Sequence, residues 1–266
     1  MPLGPFEAEV LRLLARNRNP DSYVGGATVL HQSPHSPRTS QDVDMFHDEA
    51  DAVAVASETD LAVLGSAGYA VEVQRPQEGF VRAFVSLGNH HTKIEWVHDS
   101  AFRFFPVEAD VELGWRLNFW DAATNKLLAF AARMKLRDYL DVMFLHDHHL
   151  HVGALAWAAA GKDPGMNAEW IIDWGGRQAR LSGQDPKQLR LSEPVDFRAL
   201  RLRWQRAAEE ALALIEKLPV TERGCLYLDA RGKPVCPDPA APEFATLTRH
   251  YGSVKGAWPR IVESPS

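Results

Sequence analysis

Polar and apolar positions follow two different periods along this chain, and the change between them divides it. Phe6 to Asn17 carries apolar residues at 6, 10, 13 and 14, the stripe of an amphipathic helix. Ser22-Tyr23-Val24 leads into Gly25-Gly26 and a short helix-compatible stretch that reaches Leu30. Gln32 to Ser40 is rich in Pro and Ser and predicts a loop. From Gln41 to Phe46 polar and apolar residues alternate, with Val43 and Met45 opposed to Asp42 and Asp44, as in a strand buried on one side. Glu49 to Leu64 is rich in Ala, Val and Leu and reads as a helix ending at Gly65 and Gly68. Tyr69–Val73, Gly79–Leu87 and Thr92–Val97 read as three consecutive strands, with turns at Pro76–Gly79 and Gly88-Asn89.

After Pro106 the pattern becomes helical. Helices are predicted over Asn125–Leu145, Leu155–Ala160, Ala168–Leu181 and Phe197–Leu218. Gly224–Val235 reads as a hairpin turning at Arg231-Gly232, and the chain after Pro237 is expected to be extended or weakly ordered. This order predicts an α/β (α+β) fold. A small mixed sheet flanked by helices occupies residues 1–120, and a mainly helical domain occupies residues 121–266. No internal repeat is visible.

Composition excludes some functions. The uncharged apolar run around Gly153–Gly161, ten residues counted from Val152, is too short for a membrane-spanning helix. The N-terminus shows no basic region followed by an apolar core, so the cytoplasm is the expected compartment. Two cysteines, Cys225 and Cys236, give no disulfide framework and cannot make a Cys-only zinc site. A net charge of −6 argues against a uniformly basic nucleic-acid binder, but the charge is uneven. Seven acidic residues and no Lys or Arg lie between Asp42 and Asp60, and beyond Asp44 they read as a solvated helix face. Eight basic residues against three acidic ones lie between Arg177 and Arg206. That run reads as a solvated face or as a local nucleic-acid surface.

The chemistry concentrates in Gly25-Gly26 followed by Ser40-Gln41-Asp42-Val43-Asp44-Met45-Phe46. Residues two apart on a strand share a side, so Asp42 and Asp44 present two carboxylates to one face. Like charges that close repel unless a cation neutralises them, and Mg²⁺ commonly takes one or two carboxylates together with substrate phosphates. A Gly-Gly pair allows the backbone to approach a phosphate closely. His146-Asp147-His148-His149-Leu150-His151 looks like a metal cluster, but it follows a helix end, where such groups suit the helix dipole.

The first stretch resembles the opening motif of the polymerase-β-like nucleotidyltransferase superfamily: two small residues, a spacer, then Asp-x-Asp on a strand. The Ser40-Gln41-Asp42-Val43-Asp44 run is similar to that of the AbiEii/AbiGii-type toxin family. Lys126-Leu127-Leu128-Ala129, Arg133 and Arg137-Asp138-Tyr139-Leu140-Asp141 resemble that family's Lys-containing helix and the Arg-Asp-x-x-Asp run after it. The resemblance covers roughly Tyr23 to Leu145. It implies a nucleotidyltransferase fold and transfer of a nucleoside monophosphate from an NTP to an acceptor hydroxyl.

By resemblance, Asp42 and Asp44 hold Mg²⁺ with a third carboxylate from a neighbouring strand. Glu95 is the candidate, because Ile94 and Trp96 would pack into the core and turn it to the Asp42 side; Asp99 is its rival. Gly25, Gly26 and Ser40 would contact the nucleotide, and Lys126 the triphosphate, with Asp141 orienting Lys126 or acting near the attacking hydroxyl. Arg38 could reach a phosphate. The implied acceptor is RNA, at the 3′ end of tRNA, and the implied partner is a cognate antitoxin. A small-molecule or protein acceptor, or a catalytically silent nucleotide-binding module, are the rival readings.

Overall fold

A computed structural model describes residues 3–32, 36–40, 42–133, 135–181 and 189–259, excepting the side chains of 178–181. The chain divides into two compact units. The first comprises Met1–Ala101, Pro106–Ala122 and Arg190–Ser192, and the second Phe102–Phe105, Ala123–Leu189 and Glu193–Ser266.

The first unit opens with α1 (Pro5–Leu14), which has Pro at its start and Glu7 in its first turn, both favourable there. Then follow β1 (Ser22–Val24), the short α2 (Gly26–Leu30), β2 (Asp42–His47) and α3 (Ala50–Ser66). β3 (Ala70–Val73), β4 (Phe80–Leu87) and β5 (His90–His98) come next. β6 (Phe102–Arg103) belongs to the second unit, and β7 (Glu108–Asp110) and β8 (Gly114–Arg116) return to the first.

One seven-stranded mixed sheet results, ordered β3-β4-β5-β2-β1-β8-β7. β2 runs parallel to β5 and antiparallel to β1. Val43 and Met45 of β2, Ile94 and Trp96 of β5, and Val81, Ala83 and Val85 of β4 are buried on one side with Val10, Leu11 and Leu14 of α1 and Val53 and Leu64 of α3. The alternation legible in the sequence therefore decides which face of the sheet is core and which faces outward.

Three sequence expectations change in this unit. First, the stretch after Pro106 forms β7 and β8 before any helix, because β8 adds beside β1 at Val24↔Arg116 and Leu117 N–H donates to Val24 O at 2.8 Å. Gly114 at the start of β8 lets the strand lie close to the turn after α1: it sits at φ +76, and a Cβ there would lie 2.1 Å from Ala15 O. Second, the acidic run is not wholly solvated. Val53, Ser57, Asp60 and Leu64 form the buried stripe of α3. Asp60 receives hydrogen bonds from Arg18, from Trp96 Nε1 at 2.7 Å and from Asn17 Nδ2 at 2.8 Å. A buried carboxylate with this many donors is tolerated; one stripped of them would be costly.

Third, the basic run is split. Arg190 and Ser192 lie in the first unit: Thr39 N–H donates to Arg190 O at 3.0 Å, Ser192 N–H to Pro37 O at 2.9 Å, and Arg190 pairs with Glu7 at 3.2 Å. Arg203 pairs with Asp147 in the second unit. The Arg180 side chain and Lys187 lie outside the described residues.

After Phe102–Phe105 the second unit resumes at Ala123 within α4 (Phe119–Ala132), a helix whose first turn is capped by Asn118 Oδ1 accepting from Trp120 N–H at 2.9 Å. It continues with α5 (Leu136–His148), α6 (Val152–Ala159), α7 (Ala168–Leu181) and α8 (Phe197–Lys217). The single helix expected over Asn125–Leu145 is thus two, α4 ending at Ala132 and α5 starting at Leu136. Phe130, Tyr139 and Trp204 meet as a ring cluster with centroids 5.0 to 6.1 Å apart. Gly175 and Gly176 let α7 lie against it, since a Cβ would come within 2.2 Å of Phe130 and 2.6 Å of Trp204 Nε1.

β9 (Cys225–Leu228) pairs antiparallel with β10 (Thr248–Tyr251), and β11 (Ser253–Val254) with β6. The expected Gly224–Val235 hairpin is short: it closes by the Leu228↔Pro234 bridge, by Val235 N–H donating to Tyr227 O and by Asp229 N–H donating to Lys233 O, each bond 2.9 Å. Proline at 234 has no N–H to extend that ladder, so the long partner of β9 comes from the tail, which is ordered through β11. Among the described residues no helix is long and apolar enough to cross a membrane.

Candidate active site

The outward face of the sheet carries the candidate residues. Along β2, Asp42 and Asp44 are half-buried while Val43 and Met45 point inward. On β5, Lys93 and Glu95 are half-buried between the buried Thr92, Ile94 and Trp96. The parallel register sets Asp42 opposite Lys93 and Asp44 opposite Glu95. Neighbouring strands lie about 4.8 Å apart, so Asp42, Asp44 and Glu95 occupy adjacent positions on one face. Asp99 is elsewhere. Its N–H donates to His47 O at 3.0 Å, at the far end of β2, about 16 Å along the strand from Asp42.

The glycines are built into this face. Gly25 N–H donates to Asp44 O at 3.0 Å, and a Cβ at Gly25 would lie 2.2 Å from the Phe46 ring. Gly26 opens α2 at φ +62, and a Cβ there would lie 2.2 Å from Asp44 Oδ2. The pair therefore brings backbone directly against the second carboxylate of the motif. Ser40 is buried and donates to Asp42 O at 2.9 Å, which fixes the start of β2. Its motif neighbour Gln41 lies outside the described residues. Arg38 is also buried, not solvated, with Nη1 3.4 Å from Thr39 O.

Cations already sit among the acids. Lys93 Nζ is 3.3 Å from Asp42 Oδ2 and 3.0 Å from Glu95 Oε1, and Arg82 Nη2 is 2.6 Å from Glu95 Oε1. Arg82 lies opposite Glu95 on β4. The sequence reading named neither cation, although a pair with a surface lysine was its alternative for Glu95, and the structure shows such a pair. Lys93 was open to discovery by parity, since it lies two residues before Glu95; Arg82 needed the β4–β5 register. Among the described residues no three His, Cys, Asp or Glu side chains are gathered as a metal-holding group. The donor set on this face is nonetheless all carboxylate oxygen, the chemistry that a hard divalent ion takes, and the charge between Asp42 and Glu95 is balanced here by Lys93.

Lys126 and Asp141 lie in the second unit. Lys126 is buried, with Nζ 2.8 Å from Asp138 Oδ1 and 3.0 Å from Asp141 Oδ2. Arg133 adds a two-pronged contact to Asp138 at 2.7 and 3.1 Å. Burial pushes the Asp138 carboxyl up, but Lys126 and Arg133 outweigh it and hold it below the ordinary carboxylate range. Asp141 Oδ2 faces the Lys126 ammonium from the second turn of α5. His146 and His151 cap α6 by accepting from Val152 N–H at 3.2 Å and Gly153 N–H at 3.1 Å.

No protein-family model matches the sequence, and no curated protein matches it. Solved structures do. A candidate nucleotidyltransferase from H. pylori aligns over 80% of this chain and 97% of its own, with a TM-score of 0.52 and 18% identity. The fold resembles that of nucleotidyltransferases. JHP933 from Helicobacter pylori aligns over 81% of this chain and 95% of its own, at TM-score 0.50 and 18% identity. MenT4, a nucleotidyltransferase toxin from Mycobacterium tuberculosis, covers 79% of this chain and 91% of its own at TM-score 0.43 and 16% identity.

Proposed function

We propose that this chain is a nucleotidyltransferase that moves a nucleoside monophosphate from an NTP to an acceptor hydroxyl and releases pyrophosphate. One observation carries the reading: the β2–β5 register sets Asp42, Asp44 and Glu95 side by side on an outward sheet face against the Gly25-Gly26 turn. The likeness of fold to a candidate nucleotidyltransferase supports it.

In this reading Asp42, Asp44 and Glu95 hold Mg²⁺, which would offset the triphosphate charge and favour ionisation of the attacking hydroxyl. The Gly26 backbone leaves room at the Asp44 carboxylate, and Ser40 keeps β2 in place through Asp42 O. The acceptor oxygen forms its bond to the α-phosphorus as the bond to pyrophosphate breaks, and the hydroxyl proton leaves to a base or to water.

The AbiEii/AbiGii-type resemblance extends the proposal to a toxin acting on RNA, with the tRNA 3′ end as acceptor and an antitoxin as partner. In the second unit, Trp170 and Trp174 are exposed and stacked, with centroids 5.5 Å apart and planes 9° apart. Arg198 and Arg201 are exposed on α8 without an ion pair among the described residues. Stacking surfaces and unpaired arginines suit single-stranded nucleic acid.

Incubation of the protein with labelled NTP, Mg²⁺ and separate pools of RNA, protein and metabolites tests the whole reading by where label lands. Label in RNA is expected, and Asp42→Asn or Asp44→Asn should lower its transfer at least about a hundredfold. Label in protein or metabolites would leave the transferase and change the acceptor. No label in any pool, with NTP still bound, would favour the silent binding module.

A further inference from the structure

Lys93 stands on the acidic face of the sheet. Thr92, Ile94 and Trp96 are buried beneath the sheet, so strand alternation turns Lys93 outward with Glu95. Its register partner is Asp42. Its ammonium spans to both carboxylates, at 3.3 Å from Asp42 Oδ2 and 3.0 Å from Glu95 Oε1. The three side chains are only 15 to 21% exposed, so water screens them incompletely. An ammonium brings one positive charge and three donors to oxygens that a divalent ion would otherwise share.

We propose that Lys93 is the built-in counter-cation of this site, holding Asp42 and Glu95 in the metal-free protein and yielding them when a divalent cation binds. The inference rests on the reading of Asp42, Asp44 and Glu95 as cation ligands, and it adds a competitor to them. Two consequences follow from competition for the same oxygens. The metal-free fold is more stable with Lys93 than without it, because the carboxylates would otherwise repel. Metal affinity is lower with Lys93 than without it, because binding must first break two ion pairs. Arg82 remains on Glu95 in either state, so the third carboxylate keeps a positioning partner at 2.6 Å.

The test needs no catalysis. Calorimetric titration with Mn²⁺ and Mg²⁺, and melting temperature in EDTA and in saturating metal, are measured for the full chain and for Lys93→Met, Lys93→Arg and Asp44→Asn. Lys93→Met should melt lower in EDTA, bind Mn²⁺ about three- to tenfold more tightly and gain more from metal on melting. Lys93→Arg, which keeps the charge, should stay near the parent protein. Equal or weaker metal binding by Lys93→Met, beside normal binding by the parent, overturns the role of Lys93 and leaves the ligand reading standing. Absence of binding in parent and Lys93→Met alike, or unchanged binding in Asp44→Asn, overturns the ligand reading and this inference with it.

Discussion

At residue 26 the chain does something only glycine does without strain. Its φ of +62 lies in the left-handed region, and the space where a Cβ would go holds Asp44 Oδ2. Gly26→Ala therefore meets two obstacles, a disfavoured backbone and a displaced carboxylate. It is expected to lose about 1 to 3 kcal/mol of stability by denaturant titration, and to weaken metal binding besides. Val43→Ala, on the opposite face of the same strand, should cost stability while leaving metal affinity unchanged. Much of the geometry of this face is legible in the sequence, because Asp44 and Glu95 each sit between two apolar residues and Asp42 shares the parity of Asp44 on the same strand. The roles of Lys93 and Arg82 are less so: a lysine on an outward face reads as solvated until pairing sets it opposite Asp42.

The break between α4 and α5 shows what periodicity alone leaves out. Asn125–Leu145 contains neither Pro nor Gly, so its apolar spacing reads as one helix. In one continuous helix residues 126 and 138 would stand about 18 Å apart along the axis. Lys126 Nζ is instead 2.8 Å from Asp138, so the chain must turn back between them, and Arg133 closes the turn on the same carboxylate. The ion pairs, not a helix breaker, place the corner. Lys126→Met would strip the buried Asp138 and Asp141 of the ammonium they share, and is expected to cost about 3 to 5 kcal/mol by thermal or denaturant unfolding. Restoring much of that loss by adding Asp141→Asn would identify stranded charge as its source. β7, β8 and β10 were missed for a related reason. Each is at most four residues long, and a strand that short takes its identity from its neighbour, as β8 does from Val24 and β10 from β9.

Stability of the entire protein should fall on mild acidification through His47. Its side chain is fully buried, and neither ring nitrogen has a hydrogen-bond partner among the described residues. Burial, reinforced by the charge of Arg18 and opposed by Asp48, lowers its pKa to about 4. The unfolded chain takes up this proton near pH 6.5 and the folded chain only near 4. The stabilisation is thus complete above pH 6.5 and is lost as pH falls through that window, to at most about 3 kcal/mol. His47→Met should show a shallower decline than the parent across the window when unfolding free energy is measured against pH; parallel curves would refute the assignment.

The route of the chain carries one more consequence. Residues 190–192 belong with the first unit although the residues on either side of them belong with the second, and Phe102–Phe105 make the reverse excursion. No single cut can release either unit intact. A gene fragment ending near codon 122 would lack the short segment that Ser36, Pro37 and Thr39 bond to, leaving the loop ahead of Asp42 without its backbone partners. On a ribosome the first unit therefore cannot finish folding until some seventy further residues beyond Ala122 have been synthesised.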